Sequence, residues 1–397
     1  VAGVSLVAPM FTLMIAFGDI FGLGGSSAIS RLLGEKKDNE AKKTCAFCIW
    51  ISLVFGLCIS AILLLFRTQI LGLLGVGKDT YQYANAYYTW IAIGAVSIIF
   101  SMVPSNILRT EGLAVQSMAG SIIGSIVNII FDPIFIFGLN QGAAGAAMAT
   151  VLGNIIADIY YVYAVIKKSK RLTCSPSHMK ITGRRVKDIL MIGIPASITN
   201  IMQTFMMVMT NNFLLTYGTD KVAAMGIALK VNMITALVLV GFAFGGQPLV
   251  GYNYGAKNEK RLKNILKFSY LFEIGLGLLF TIIMCIFAPQ IIKVFMDKPD
   301  IITNGAMMLR FQQIGMTFMS VSLISTCVCQ AVGNAGGAFV LSISRQGVIY
   351  VLALLIMSNV FGYTGVLVSQ ACSDVVTALI AAVIMLKIMK KLTNKNE

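Results

Sequence analysis

Apolar runs long enough to cross a lipid bilayer recur from end to end of this 397-residue chain, and no other feature limits its fold so sharply. A helical span needs roughly 20 consecutive, mostly apolar residues. Inside the hydrocarbon only structures that satisfy every backbone N–H and C=O internally survive. The runs predict helices over 4–33, 41–66, 83–107, 115–138, 142–166, 188–216, 222–252, 262–287, 301–330, 336–358 and 364–388. Pro104, Pro133, Pro195 and Pro248 fall inside them, which membrane helices tolerate. Only 12% of residues are charged, against about 25% in a soluble domain. The expected class is an all-α polytopic membrane protein.

The formal charge of +15 would suit either nucleic acid or a membrane surface, and the positions of the basic residues decide. Of the 31 Lys and Arg, 24 lie in alternate connecting segments: Arg31–Lys43, around Arg109, Lys167–Lys187, Lys257–Lys267, around Arg345, and from Lys387 onward. The opposite loops hold only Arg67, Lys78, Lys221, Lys293 and Lys298. That asymmetry follows the positive-inside rule, so the basic loops are expected in the cytoplasm and the chain in the cell (inner) membrane. A nucleic-acid binder gathers its basic residues on one folded face, so no nucleic-acid partner is expected. The single histidine, His178, leaves no zinc constellation and little from which to build a membrane-embedded acyltransferase or protease. No enzyme activity and no cofactor are expected.

An internal repeat organises the runs. Sliding the chain by 221 residues matches 1–137 to 222–358 without a gap, with 24 identities. These include Gly24 and Gly25 with Gly245 and Gly246, Gly34 with Gly255, Lys36 with Lys257, Gly94 with Gly315 and Gly112 with Gly333; after a one-residue slip Gly145 meets Gly365. In the second copy a helix starting at Asp188 precedes Val222, and its counterpart would lie before Val1. The expectation is two six-helix bundles related by a pseudo-twofold axis, twelve spans with the first outside this chain. The bundles are placed at 1–166 and 188–397, joined by a cytoplasmic linker over 167–187. Parallel repeats of this kind generally hold substrate near the midplane between bundles.

Ionisable side chains within spans are functional candidates by default. The first bundle carries Asp19, Asp132 and Asp158 in its spans. The second carries Glu273 and Asp374 beside Lys230 and Arg310, which are expected to pair with them or to run outward. Asp132 is the foremost candidate for a cation or proton. Asn128 lies four residues earlier, on the same helix face. The repeat positions of these two are Ile349 and Ala353, so bundle packing alone does not demand polarity there. Asp19 and Asp158 are secondary acidic candidates. Asn200, Gln203 and Met206 mark a Met-rich helix suited to ligands of varied shape. Thr150 and Gln370 occupy matching repeat positions, as if both bundles turned a polar group inward.

Four segments together resemble the multidrug and toxic compound extrusion (MATE) family. They are Gly-Gly-Ser-Ser-Ala-Ile-Ser-Arg-Leu-Leu-Gly-Glu-Lys-Lys at 24–37, Gly-Gln-Pro-Leu-Val-Gly-Tyr-Asn-Tyr-Gly-Ala-Lys-Asn at 246–258, Leu-Arg-Thr-Glu-Gly at 108–112, and Asn-Ile-Ile-Phe-Asp-Pro-Ile-Phe-Ile-Phe-Gly at 128–138. The resemblance implies a twelve-helix, two-lobed antiporter that exports cationic or amphipathic small molecules in exchange for Na⁺ or H⁺. It also implies a first-lobe Na⁺ or H⁺ site to which Asn128, Asp132 and Thr150 contribute. From the residues themselves, Asn200, Gln203, Met206 and Gln370 are expected to line the substrate cavity, and a monomer is expected. A lipid-linked sugar or polysaccharide flippase of related architecture is the alternative, and a membrane-embedded enzyme a remote one.

Overall fold

The computed structural model describes residues 2–393, which form long helices joined by short turns, with no strand among the described residues. In chain order these are α1 (Ala2–Gly34), α2 (Asp38–Leu65), the short α3 (Arg67–Leu73), α4 (Lys78–Thr110), α5 (Ala114–Pro133), α6 (Gly142–Lys168) and α7 (Gly183–Leu215). There follow α8 (Thr219–Gly255), α9 (Glu259–Ile286), the short α10 (Ala288–Phe295), α11 (Pro299–Ala331), α12 (Ala335–Ile343) and α13 (Ile349–Thr393). Single wide turns, Ile134–Gly138 and Ser344–Val348, extend α5 and α12. Among the described residues ten stretches are long and apolar enough to cross a membrane. The last covers 56 residues, or about 84 Å at 1.5 Å per residue, far more than one crossing needs. Gly362 breaks it, with φ 57° and ψ −129°, a conformation open to glycine and strained for other residues. Divided there, the described residues hold eleven helical stretches long enough to cross, at the positions the apolar runs predict. This is a multi-pass membrane protein.

The backbone repeats as the sequence does. Lys36 and Lys257, 221 residues apart, both take left-handed φ (59° and 55°) at the ends of α1 and α8. Gly112 and Gly333 do the same after α4 and α11, at 82° and 79°. Left-handed residues just past a helix let the chain reverse while its last carbonyls are satisfied. The short α3 and α10 are also equivalent. At the corner into the final helix of each copy, an added Cβ on Gly145 would strike the Phe135 backbone at 2.7 Å, and one on Gly365 the Met357 carbonyl at 1.8 Å.

Two compact units divide the chain, 1–201 and 202–397. In the first, α4 is the central helix, packed on α1, α2 and α6, with α5 laid on α6. In the second its repeat equivalent α11 is central, packed on α8, α9 and α13. The division falls within α7, not in the 167–187 segment. The reason is local: Gly193 approaches the Ile20 carbonyl, and Gly24 the Ile189 carbonyl, so closely that a Cβ at either would lie 1.9 and 2.3 Å from those oxygens. Glycine-to-backbone contacts of this kind draw membrane helices together, and they tie the first half of α7 to α1.

Candidate functional site

The site containing Asn128 and Asp132 is built by a ladder of small residues between α5 and α6. Ser117, Gly120 and Gly124 are the buried positions of α5. The Tyr161 ring lies over Gly120, and Gly124 and Gly153 meet backbone to backbone. One turn beyond that crossing, Asn128 Nδ2 donates to Thr150 Oγ1 at 3.2 Å, and Thr150 donates in turn to the Ala146 carbonyl at 3.0 Å. Asp132 follows one turn later, where α5 gives way to its wide terminal turn. Pro133 has no N–H to return to the Ile129 carbonyl, so this end of the helix is short of internal hydrogen bonds. The Asp132 Oδ1 atom is buried and has no hydrogen-bond partner among the described residues. No described Lys or Arg forms a salt bridge with it either.

Asp132, Asn128 and Thr150 carry a carboxylate, an amide and a hydroxyl, group types that suit a proton or a monovalent cation. No group of three or more His, Cys, Asp or Glu among the described residues could hold a metal ion. Asp132 as a whole is half-buried, but an unpartnered buried carboxylate oxygen is costly, and binding a cation or a proton or gaining access to water relieves that cost.

The other candidates fall out differently. Asp158 accepts from Ser97 Oγ and Ser101 Oγ, both at 2.5 Å, beside Asn154. The sequence reading missed these serines, although their i, i+4 spacing on α4 puts both hydroxyls on one face. Asp19 accepts from Asn200 Nδ2 at 2.9 Å, so Asn200 is engaged within the first unit. Gln203 is exposed, and Met206 packs partly buried against the core of the second unit. Gln370 is buried and donates to Asp374 Oδ1 at 3.1 Å.

The expected pairing of Glu273 and Asp374 with Lys230 and Arg310 is not what forms. Asp374 pairs with Arg345, Nε to Oδ1 2.7 Å, a residue read from sequence as a loop marker. Arg310 is exposed and donates to the Cys285 carbonyl, and Lys230 is exposed. A long basic side chain lowers its energy by running to the interface instead of burying its charge. Glu273 is left alone.

Comparison with known proteins agrees with this architecture. The family model MatE matches residues 1–134 and again 195–356, once per repeat. The chain belongs to the MatE family. It is 30% identical over 396 residues to the multidrug export protein MepA of Staphylococcus haemolyticus (strain JCSC1435), covering 99% of this chain and 86% of that protein. The outward-facing structure of a multidrug resistance MATE family transporter of the MOP superfamily superposes with a TM-score of 0.93 at 25% identity, covering 99% of this chain and 88% of that one. A MATE structure in complex with MaL6 reaches 0.94 at 24% identity, over 99% and 89%. The protein is a membrane transporter of this family and not an enzyme.

Proposed function

We propose that the protein exports drugs or other amphipathic, cationic small molecules in exchange for H⁺ or Na⁺, with Asp132, Asn128 and Thr150 holding the coupling ion. The buried, unpartnered Asp132 oxygen beside the Asn128–Thr150 contact carries this reading. A carboxylate held without a basic neighbour changes energy sharply when a cation arrives, which is what a coupling site requires. Transport then proceeds by alternating access, cation occupancy biasing which side is open. By linkage, cation and drug each weaken the other's binding. The matched relative is named as a multidrug exporter, which favours export over the flippase alternative. The alternation of basic and neutral loops supports a cytoplasmic position for Arg31–Lys43, Lys167–Lys187 and Lys257–Lys267 in the cell membrane.

The test is ethidium uptake into inverted vesicles under separately imposed Na⁺ and pH gradients. Wild-type protein should respond to at least one gradient. Asp132→Asn should abolish the response while the protein remains in the membrane at its usual level. Full gradient-driven uptake by that variant would remove Asp132 from the mechanism.

A further inference from the structure

Glu273 is fully buried in α9, 0% exposed, and neither carboxyl oxygen has a hydrogen-bond partner among the described residues. It belongs to a single buried stripe, Leu262, Leu266, Ser269, Glu273 and Gly277, which faces the core of the second unit. Gly277, one turn on, packs so closely on α11 that an added Cβ would lie 2.8 Å from Ser320 Oγ. Tyr270 on its own helix and Cys327 on α11 are titratable groups near it. Tyr270 is already bonded to Ser325 at 2.7 Å. The neighbouring length of α8, 231–251, carries no titratable residue, and Lys293 of α10 is exposed beside Asp297. No described Lys, Arg or His pairs with Glu273.

Two spaces lie near it on the same helix, and Glu273 itself lines neither. An open groove of about 560 Å³ runs between α8 and α9, largely apolar through Phe242, Leu249, Ile265 and Phe268, with Arg261, Asn264 and Ser269 as its polar groups and Gly241, Gly245 and Gly246 along α8. A second space of about 10 Å³, large enough for roughly one water, lies deeper between α8, α9 and α11. Its lining is mostly apolar, and Gln247, Ser269 and Cys327 are the polar or titratable residues in it. Both spaces share Phe242, Gly246 and Ser269, and Ser269 is one turn from Glu273 on the same stripe.

We propose that Glu273 is a second proton-binding site, in the second unit, which exchanges protons with water through the α8–α9 groove. The proton comes from water in the groove and converts the carboxylate to the neutral acid. A proton fits better than a metal ion because no second carboxylate stands beside Glu273, and an unpaired buried carboxyl is tolerated when neutral. The role of this proton in coupling rests on the transport reading above, whereas its binding does not.

Infrared spectroscopy of the purified full-length chain in lipid tests binding without transport. A protonated-carboxyl C=O band should be present at neutral pH and lost in Glu273→Gln, which preserves the shape and neutrality of the acid and should not lower the melting temperature. Transfer to D₂O should shift the band. Gly246→Leu, whose added Cβ meets no atom within 4 Å and whose side chain would fill the groove, should slow that shift severalfold. Asp132→Asn should leave band and exchange unchanged, so failure of the Asp132 mechanism reads separately. A spectrum identical in wild type and Glu273→Gln would overturn the site, and equal exchange in Gly246→Leu would overturn the route.

Discussion

Substituting Gly153 by alanine tests whether the α5–α6 crossing holds the candidate cation site together. A Cβ at this position would lie 2.6 Å from the Gly124 carbonyl oxygen, whereas ordinary contact begins at 3.4 Å. The two helices must therefore separate by the difference, about 0.8 Å. One turn away, Asn128 Nδ2 stands 3.2 Å from Thr150 Oγ1. The same displacement takes that contact to about 4.0 Å, past the separation at which an N–H···O hydrogen bond persists. Overpacking of this kind costs about 1–3 kcal/mol, and the lost hydrogen bond adds about 1 kcal/mol. The melting temperature of purified protein, followed by size-exclusion recovery after heating, should fall by several degrees. Gradient-driven ethidium transport should fall with it. Gly226→Ala is the control, a helical glycine in α8 with no atom within 4 Å of the added Cβ. It should leave transport intact and, through helix propensity, hold or slightly raise the melting temperature. A Gly153→Ala protein that melts and transports like wild type would refute the packing argument.

Arg345→Ala should destabilise the protein by about 3–5 kcal/mol, because it strands the buried Asp374 carboxylate; the Arg345→Met, Asp374→Leu double variant should recover most of the loss in a melting assay. Removing both hydroxyls that serve Asp158, by Ser97→Ala with Ser101→Ala, should cost about 1–3 kcal/mol and lower the melting temperature. Glu111 accepts from Ser169 Oγ and from the backbone N–H groups of Lys170 and Arg171, the latter two at 2.7 Å. Glu111→Ala should free this segment, and tryptic cleavage at Lys170 and Arg171 should accelerate severalfold.

The crossings were legible from sequence because the requirement that sets them is local. About 20 apolar residues in succession must form a helix in lipid, whatever surrounds them. The repeat was equally legible, since Lys36 and Lys257, or Gly112 and Gly333, occupy backbone positions that few residues tolerate. Asn128 and Asp132 both lie on α5, where a spacing of four residues gives a shared face. Partners on different helices were not legible. Lys230 and Arg310 are equally basic in sequence, yet Arg345 meets Asp374, two serines of α4 meet Asp158, and Glu273 meets no one. Which side chains touch depends on how each helix is rotated and how closely it crosses its neighbours. Contacts such as Gly124 with Gly153 and Gly277 with Ser320, far apart in sequence, set that closeness. Hydropathy records that a residue lies within the membrane; only packing determines what it faces there.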